Sequence, residues 1–272
     1  MPKLIWLRAL SLAAAAAACA HVRPGDSGIP LRVVTYNIRA GNGDIARIAE
    51  TIRGFSPDIV GLQEVDVHWS ERSGFEDQAA LLGRVLGMQV RFAPIYSLPG
   101  ADSTRARRQY GVALLSKHPI VRWTNDTLTR LSTISPNPEP APAPGLLQAT
   151  LEIDGVVVRV LNTHLDYRAD PRVRTQQVKE MLGYIGSAST PTLVLGDLNA
   201  TPDAPELQPL FERLHDTWQN ALDPGFTYPA DKPVKRIDYI LASGHFRVRS
   251  ALVGVTEVSD HRPVLVDLVL RR

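Results

Sequence analysis

Apolar residues recur along this chain with two periods, and each period predicts a different kind of element. Short runs rich in Val, Ile and Leu, bounded by turn residues, predict β-strands. Apolar residues three and four positions apart predict helices that pack one face against a sheet. The runs that predict strands are residues 31–38, 58–64, 89–96, 110–116, 146–153, 156–162, 192–195, 237–241, 246–253 and 264–269.

Three segments carry the helical period. Two of them are residues 44–55 and 171–185. The third follows Ser73 and Glu76, which have the spacing of a capping box and predict a helix start. The apolar positions of the three helices are Ile45, Ile48, Ala49 and Ile52, then Leu81, Leu82, Val85 and Leu86, then Val178, Met181, Leu182 and Ile185. Strands mixed with helices predict one α/β or α+β domain built on large sheets.

Two stretches predict turns or loops. Residues 135–145 contain five prolines, which exclude helix and central strand and predict an extended surface loop or linker. The pair Asp154 and Gly155, between two strand runs, predicts a tight hairpin.

The first twenty residues have the pattern of an export leader. A basic start precedes an apolar run over residues 9–18, shorter than the ~20 residues of a transmembrane helix, and small residues follow it. We therefore expect residues 1–20 to be a signal peptide. Cys19, the single cysteine, follows three alanines in a sequence that resembles a bacterial lipobox, with Ala16 where Leu is usual.

Two outcomes at this leader stay open. Lipidation at Cys19 would attach the protein to a membrane, with residues 21–30 as a tether. Cleavage after Ala20 would release a soluble exported protein. In both cases we expect a protein outside the cytosol, either a periplasmic or outer-membrane lipoprotein or a secreted protein.

Composition narrows the class. The chain has 272 residues, with 30 Lys and Arg against 28 Asp and Glu. Lys3 and Arg8 lie in the first twenty residues, which contain no acidic residue, so the remainder is formally neutral. A neutral body argues against a basic nucleic-acid coat protein. Hydrophobic residues make up 44% and charged residues 21%, which excludes wholesale disorder.

Polar residues lie where the predicted strands end or begin. These positions are Asn37, Glu64, His164, Asp197 with Asn199, Asp238, and Asp260 with His261. A single one would be a turn residue or a strand cap. Six such clusters, all rich in Asn, Asp, Glu and His, predict strand ends that converge on one site.

The segments that carry these residues resemble a known family. TYNI, LQEV, NTHLD, GDLNATPD, RIDYIL and SDHRPV occur in this order and closely resemble the endonuclease/exonuclease/phosphatase superfamily. That group includes deoxyribonuclease I, apurinic/apyrimidinic endonucleases, neutral sphingomyelinases and inositol polyphosphate phosphatases. The resemblance implies an exported bacterial member whose residues 31–272 form a single deoxyribonuclease I-like domain, a four-layer α/β/β/α sandwich with the site at one edge.

The resemblance also implies roles for the metal side of the site. Glu64 would anchor a divalent cation, Mg²⁺ or Mn²⁺, which prefers carboxylate oxygen. Asn37 would assist through its amide oxygen, although alone it would be a strand-end cap. Asp260 would be the second metal-side carboxylate.

The remaining motif residues would carry the chemistry. His261 would be the catalytic histidine, with Asp238 paired to its ring. An ion pair between Asp238 and Arg236 is the structural alternative. Asp197 would orient or deprotonate the attacking water, a role that His261 could also fill. The other two assignments are Asn199, holding the phosphate or that water, and His164, over a non-bridging phosphate oxygen.

Further candidates surround these residues. Arg105, Arg108 and Tyr110 precede a central strand, and the two arginines are suited to phosphate contacts. A solvated arginine-rich loop is the alternative. His68 and Arg72 follow Glu64 closely and would line the mouth of the site.

Three functions follow from these features. The first is a metal-dependent phosphodiesterase or phosphatase that acts, as a monomer, on a small or lipid-linked phosphate ester. The second is a secreted nuclease with the same catalytic core. The third is a non-catalytic binding module. The neutral body favours the first over a binder of duplex DNA, which would need many basic contacts.

Overall fold

Strands dominate the computed structural model, which describes residues 28–100, 102, 104–218 and 223–272. The strands are β1 Gly28–Asn37, β2 Ile59–Val67, β3 Gln89–Leu98, β4 Arg108–Ser116, β5 Ile120–Leu131, β6 Pro140–Ile153, β7 Val156–His164, β8 Thr192–Asp197, β9 His215–Asp216, β10 Asp238–Ala242, β11 Phe246–Val253 and β12 Val264–Arg271. The helices are α1 Ile45–Phe55, α2 Gln78–Leu86, α3 Arg172–Ile185 and α4 Gln208–Arg213. Within the described ranges, none of the helices is long and apolar enough to cross a membrane.

The strands form two mixed sheets of six strands each. Sheet I has the order β11-β12-β1-β2-β4-β3, and sheet II has the order β5-β6-β7-β8-β10-β9. The pairs β1–β2 and β7–β8 are parallel, whereas β1 runs antiparallel to β12 and β8 runs antiparallel to β10. Both sheets therefore have strands that end and strands that begin at the same edge.

Three apolar clusters separate four layers. Between the sheets, residues such as Val33 of β1 and Leu195 of β8 pack face to face. Ile52 of α1 lies in a second cluster, on the outer face of sheet I. Met181 of α3 and Leu210 of α4 lie in a third, on the outer face of sheet II. The predicted four-layer α/β/β/α sandwich is confirmed.

Helix α2 begins at a different residue from the one predicted. The carboxylate of Asp77 accepts a hydrogen bond from the N–H of Ala80 at 2.8 Å and caps the helix. Ser73 lies in a separate short 3-10 turn, where its hydroxyl donates to the carbonyl of Ser70. The predicted Ser73 and Glu76 capping box is therefore wrong, because Asp77 offers the same capping chemistry directly before the helix.

Strand β1 begins earlier than the predicted domain boundary. Gly28, Ile29 and Pro30 pair with Arg271, Leu270 and Val269 of β12, so these three residues belong to sheet I. The tether predicted for residues 21–30 is at most the part before Gly28. The predicted leader of residues 1–20, Cys19 included, lies outside the described residues.

The proline-rich segment is partly strand, which corrects the prediction of a loop over residues 135–145. Pro140, Pro142 and Pro144 of β6 stand opposite Leu131, Thr129 and Thr127 of β5. Prolines at alternate positions place every missing N–H on one edge of a strand. Along residues 140–144 that edge pairs with no described strand, because β7 pairs with β6 only over residues 147–153. Ala141 and Ala143 remain available to donate toward β5, so this strand tolerates its prolines.

Candidate active site

Strand ends from both sheets meet at one edge of the sandwich. β1 ends at Asn37, β7 at His164 and β8 at Asp197, while β10 begins at Asp238. His261 lies three residues before β12. The convergence predicted from the strand ends is therefore present in the structure.

Asp197 lies at the centre of this edge and is buried. Its Oδ2 accepts a hydrogen bond from Asn37 Nδ2 at 3.0 Å, and its Oδ1 accepts from the N–H of Asn199 at 2.9 Å. The Nε2 atoms of His164 and His261 lie 3.5 Å and 3.6 Å from Oδ2. One carboxylate thus contacts four of the predicted site residues.

The backbone beside Asp197 requires a glycine. Gly196 has a φ of +155°, and a Cβ there would lie 2.3 Å from the carbonyl oxygen of Thr163 on β7. Only glycine allows β7 and β8 to approach this closely. The close approach brings His164 next to Asp197.

Asp238 and His261 form a buried hydrogen-bonded pair. Because an ionised carboxylate can only accept, His261 donates from Nδ1 to Asp238 Oδ2 at 2.9 Å. The other oxygen, Asp238 Oδ1, is buried and has no hydrogen-bond partner among the described residues. Arg236 donates instead to Asp216 at 2.6 Å, so the alternative ion pair between Arg236 and Asp238 is wrong.

The pKa values of Asp197 and His261 are both raised, for different reasons. Burial raises the pKa of Asp197, and the nearby Asp238 carboxylate raises it further. Burial lowers the pKa of His261, but Asp238 and Asp197 outweigh that effect and raise it to about 10. His261 therefore carries a proton on both ring nitrogens at neutral pH, flanked by two carboxylates.

Glu64 faces the same edge from a β-bulge in sheet I. The pairing of β2 with β4 shifts register between Leu62 and Val65, and Glu64 has a φ of +57°. Asn37 Nδ2 donates to Glu64 Oε1 at 3.0 Å, while Asn37 Oδ1 accepts from the N–H of Arg39. The amide NH₂ of Asn37, not its oxygen, thus faces Glu64 and Asp197, contrary to the expected role, because two carboxylates here need a donor.

A side chain from sheet II holds the bulge. Asn162 of β7 donates from Nδ2 to the carbonyls of Leu62 and Ala113, at 3.0 Å and 2.9 Å. Its Oδ1 accepts from Gln63 Nε2 at 2.7 Å. All of these atoms are buried. No role was predicted for Asn162, although it is the first residue of the NTH motif.

Asp260 lies at the same edge and is half-buried. Arg39 Nε approaches Asp260 Oδ2 at 3.5 Å. The hydroxyl of the preceding residue, Ser259, donates to the carbonyl of Asn37 at 2.7 Å. This bond ties the segment that carries Asp260 and His261 to the end of β1.

These residues open into a cavity of about 670 Å³. Its polar end is lined by Glu64, His164, Asp197, Asn199, Asp260 and His261. Its walls include the rings of Tyr96, Tyr110, Tyr167 and Tyr228. A concave site of this size, with polar groups at one end and rings around it, has the features of a ligand-binding pocket.

Of the predicted substrate-binding residues, Tyr110 lines this cavity. Its ring stacks with Tyr96, with centroids 6.2 Å apart, and burial raises the pKa of its hydroxyl. Arg72 lies next to it, 5.6 Å from the ring centroid. The Arg72 guanidinium donates from Nε and Nη2 to the buried carboxylate of Asp66, at 2.8 Å and 2.7 Å, so its charge is already neutralised.

The other three predicted substrate residues lie apart from the cavity. His68, Arg105 and Arg108 line a separate pocket of about 170 Å³. Arg105 approaches Asp102 at 3.4 Å, and Arg108 donates to the carbonyl of Pro99. The structure thus does not bring them to the carboxylates. The solvated-loop alternative describes Arg105, whereas Arg108 is the half-buried first residue of β4.

One arginine of the cavity was not predicted from the sequence. Arg130, near the end of β5, lines the cavity and donates from Nη1 to the carbonyl of His164 at 2.8 Å. No signal pointed to it, because no strand was predicted over residues 120–131.

The donor chemistry of this edge fits a divalent cation. Asp197, Asp238 and His261 offer ligand atoms that all lie within 4.8 Å of one another. The carboxylates of Glu64 and Asp260 line the same cavity. Several carboxylate oxygens converging on one cavity are the ligands that hard cations such as Mg²⁺ prefer.

Comparison with known proteins gives a consistent picture. A family model described as the Endonuclease/Exonuclease/phosphatase family matches residues 34–261. A structure of that description from Beutenbergia cavernae is 26% identical, covers 89% of this chain and 72% of its own, and superposes with a TM-score of 0.70. No curated protein matches the chain at the required significance.

Two further solved structures are similar over most of their length. The human Nocturnin catalytic domain is 25% identical, with coverage of 89% of this chain and 93% of its own and a TM-score of 0.65. A mannosyl-6-phosphatase from Bacteroides thetaiotaomicron is 21% identical, with coverage of 88% and 100% and a TM-score of 0.64.

Proposed function

The chain belongs to the endonuclease/exonuclease/phosphatase family, and from that premise we propose that it is a divalent-metal-dependent hydrolase of phosphate esters. The observation that carries the proposal is the buried series Asp238, His261 and Asp197 at the polar end of the cavity, with Glu64 facing it. Hydrolysis of a phosphate ester needs an activated water and positive charge near the phosphoryl oxygens. These side chains supply both.

Glu64 and Asp260 are the residues that would hold Mg²⁺ or Mn²⁺. Both line the cavity, whereas Asp238 is buried behind His261. The cluster of Asp197, Asp238 and His261 is less suited, because His261 already donates from Nδ1 to Asp238 and has no lone pair there for a cation. When bound, the cation would neutralise charge on the phosphate and stabilise the departing oxygen.

Side chains of the protein carry out the remaining steps of the proposed reaction. Asp238 fixes the ring of His261, whose Nε2–H then faces the cavity and stabilises a phosphoryl oxygen. Asp197 takes the proton of the attacking water, because the carboxylates on both sides of His261 make that ring a donor. Water then attacks phosphorus in line with the leaving oxygen. Asn199 contributes its N–H, which orients the Asp197 carboxylate at 2.9 Å.

The substrate class follows from the shape of the site. A cavity walled by tyrosine rings suits a small phosphate ester or a lipid head group better than a duplex. The 25% identical Nocturnin domain was solved with bound sulfate, a tetrahedral anion with the shape of phosphate. A secreted nuclease on the same catalytic core is the second candidate.

A substrate panel tests the proposal. It contains bis-p-nitrophenyl phosphate, p-nitrophenyl phosphate, a phospholipid and plasmid DNA, each with Mg²⁺, Mn²⁺ or EDTA. We expect hydrolysis of small or lipid esters that EDTA abolishes. Strong DNA cleavage without activity on the other esters would favour the nuclease. Absence of metal-dependent hydrolysis on every substrate would favour a binding module.

We further propose that the protein acts outside the cytosol, attached to a membrane through a lipidated Cys19. The support is the leader pattern of residues 1–20 and the three alanines before the cysteine. Mass spectrometry of the mature protein tests this. A diacylated Cys19 at the N-terminus is the expected result, whereas an unmodified His21 would show cleavage after Ala20 and a soluble exported enzyme.

A further inference from the structure

Among the described residues, no carboxylate hydrogen-bonds to the Arg130 guanidinium, although the charges of Asp166 and Glu180 act on it from farther away. Its guanidinium donates to the carbonyls of Pro144, His164 and Gly145, at 2.9 Å, 2.8 Å and 3.0 Å, and more weakly to the hydroxyl of Thr163. Burial lowers the pKa of Arg130 to about 10, which leaves it charged at neutral pH. Arg130 is half-buried, and a partly desolvated cation whose hydrogen bonds go to neutral acceptors is costly unless an anion approaches it.

The guanidinium also retains one hydrogen-bond donor. An arginine has five N–H groups. Nε uses one on Pro144, Nη2 uses two on Gly145 and Thr163, and Nη1 uses one on the carbonyl of His164. The remaining N–H belongs to Nη1, the nitrogen nearest the strand end that carries His164. Arg130 lines the same cavity as Glu64 and Asp197.

The other arginines near the site are neutralised. Arg174, which also lines the cavity, pairs with Glu206 at 2.8 Å, and Arg72 pairs with Asp66 at 2.7 Å. Arg39 lies 3.5 Å from Asp260. Arg130 and Lys235 are the lining cations for which no ion pair is seen among the described residues, and carbonyl contacts hold the Arg130 side chain in place.

We propose that Arg130 recognises the doubly charged phosphoryl group of a phosphate monoester and gives this enzyme a preference for monoesters over diesters. The inference rests on the proposed function and names its substrate class. A monoester carries up to two negative charges above its second pKa of about 6, whereas a diester carries one. The attraction to a fixed cation scales with that charge, and a planar guanidinium matches phosphoryl oxygens.

The chain offers a matched control for this arginine. Arg159 of β7 is also held by neutral acceptors, since it donates to the carbonyls of Ile185 and Tyr184 and to Gln148 Oε1. It lies outside the lining of the cavity. Arg159→Gln therefore removes a similar set of hydrogen bonds without removing charge from the site.

The first experiment compares p-nitrophenyl phosphate with bis-p-nitrophenyl phosphate in Mg²⁺ at about pH 8, where the monoester is a dianion. For Arg130→Gln we expect kcat/KM to fall about 10- to 100-fold on the monoester and only about threefold on the diester, the size of one lost charge-assisted contact. Arg130→Lys should keep most of the monoester preference. Arg159→Gln should lower the melting temperature similarly and leave the ratio of kcat/KM on the monoester to kcat/KM on the diester unchanged.

The second experiment measures binding without turnover, by calorimetry with inorganic phosphate and dimethyl phosphate. We expect Arg130→Gln to weaken the binding of phosphate about tenfold and to change the binding of dimethyl phosphate little. The role of Arg130 would be overturned if Arg130→Gln lost kcat/KM equally on both esters and affinity equally for both anions. It would also be overturned if the variant lost neither. Absence of turnover in the wild type would instead overturn the proposed function, and the binding results would still decide whether Arg130 prefers the dianion.

Discussion

Four carboxylates meet at the edge of the sandwich, and their surroundings differ. Asp197 and Asp238 are each 1% exposed, whereas the side chain of Asp260 is 31% exposed and Glu64 is also partly open to the cavity. Buried carboxylates here contact histidine rings, and open ones face the space where a cation and substrate would enter. Environment, more than residue type, thus distinguishes the groups proposed to handle protons from the groups proposed to hold the cation.

Asp238→Asn tests the first of these roles. The variant keeps the shape of the side chain but removes the charge that holds the Nδ1–H of His261. We expect kcat to fall about 10²- to 10⁴-fold with a small change in KM, as for other Asp–His pairs. Steady-state kinetics on bis-p-nitrophenyl phosphate would measure this. Asp216→Asn is the control, because Asp216 pairs with Arg236, and kcat of Asp238→Asn within tenfold of wild type would contradict the role.

Elements with strong local signals were predictable from the sequence. The helix predicted over residues 171–185 is present as α3, and Asp154 and Gly155 join β6 to β7 with positive φ values of 48° and 80°. Acidic residues at the strand ends predicted the position of the candidate site, because the buried strands are nearly continuous apolar runs. At these positions the local sequence preference and the tertiary structure favour the same conformation.

Other features depend on contacts that are distant in sequence. β5 was not predicted, because its pattern of exposed and half-buried residues at a sheet edge shows little apolar alternation. Arg130 lies on that strand, so its proposed role could not be predicted from the sequence either. The short α4 was also missed. The orientation of the Asn37 amide and the contact of Asn162 with the bulge are set by the opposite sheet, and no local pattern encodes them.

Asn162→Ala tests whether the bulge depends on this contact. The carbonyls of Leu62 and Ala113 and the amide of Gln63 would lose their partner, so we expect the free energy of unfolding to fall by about 2–4 kcal/mol. The midpoint of Mg²⁺ activation should also rise, because Glu64 lies in the bulge. Urea denaturation and Mg²⁺ titration would measure both. Leu161→Ala, on the outer face of β7, should destabilise without moving the Mg²⁺ midpoint.

Glu180→Gln tests the junction between α3 and β5. Glu180 accepts hydrogen bonds from the N–H and the hydroxyl of Thr129, each at 2.6 Å. Burial raises the pKa of Glu180, but the bonds from Thr129 and Gln176 outweigh it and lower the pKa overall. A carboxyl group whose pKa is lowered by folding stabilises the folded state at pH values above its unfolded pKa of about 4.3. This contribution is lost as the pH falls through the folded-state pKa.

The stability difference between wild type and Glu180→Gln should therefore be constant near neutral pH and shrink below about pH 4. Urea unfolding at several pH values would measure it. Glu212→Gln, at an exposed position of α4, serves as the control. A difference that grows as the solution is acidified would contradict this account.

At the scale of the whole molecule, the candidate site is shared by the two sheets. Glu64 belongs to sheet I and Asp197 to sheet II. His261 precedes β12 of sheet I, and its partner Asp238 begins β10 of sheet II. The residues of the site therefore come together only when the sheets pack on the apolar layer between them.

Cation binding should consequently stabilise the whole fold. A ligand that binds only the folded state adds about 2.7 kcal/mol at a hundredfold excess over its dissociation constant. We expect Mg²⁺ to raise the melting temperature of the wild type relative to EDTA, and to leave that of Glu64→Gln nearly unchanged. Differential scanning calorimetry would measure this, with Ca²⁺ and Na⁺ as comparison salts. An equal shift in Glu64→Gln would argue against Glu64 as the anchor.

The pairing of β1 with β12 has a consequence for the order of events during synthesis. β12 lies between β1 and β11, so sheet I stays open along β1 until residues 264–271 have been made. Pairing between strands so far apart in sequence forms late. Sheet I is therefore completed only once β12 has been made, so strand β1 lacks one of its two neighbours until late in synthesis.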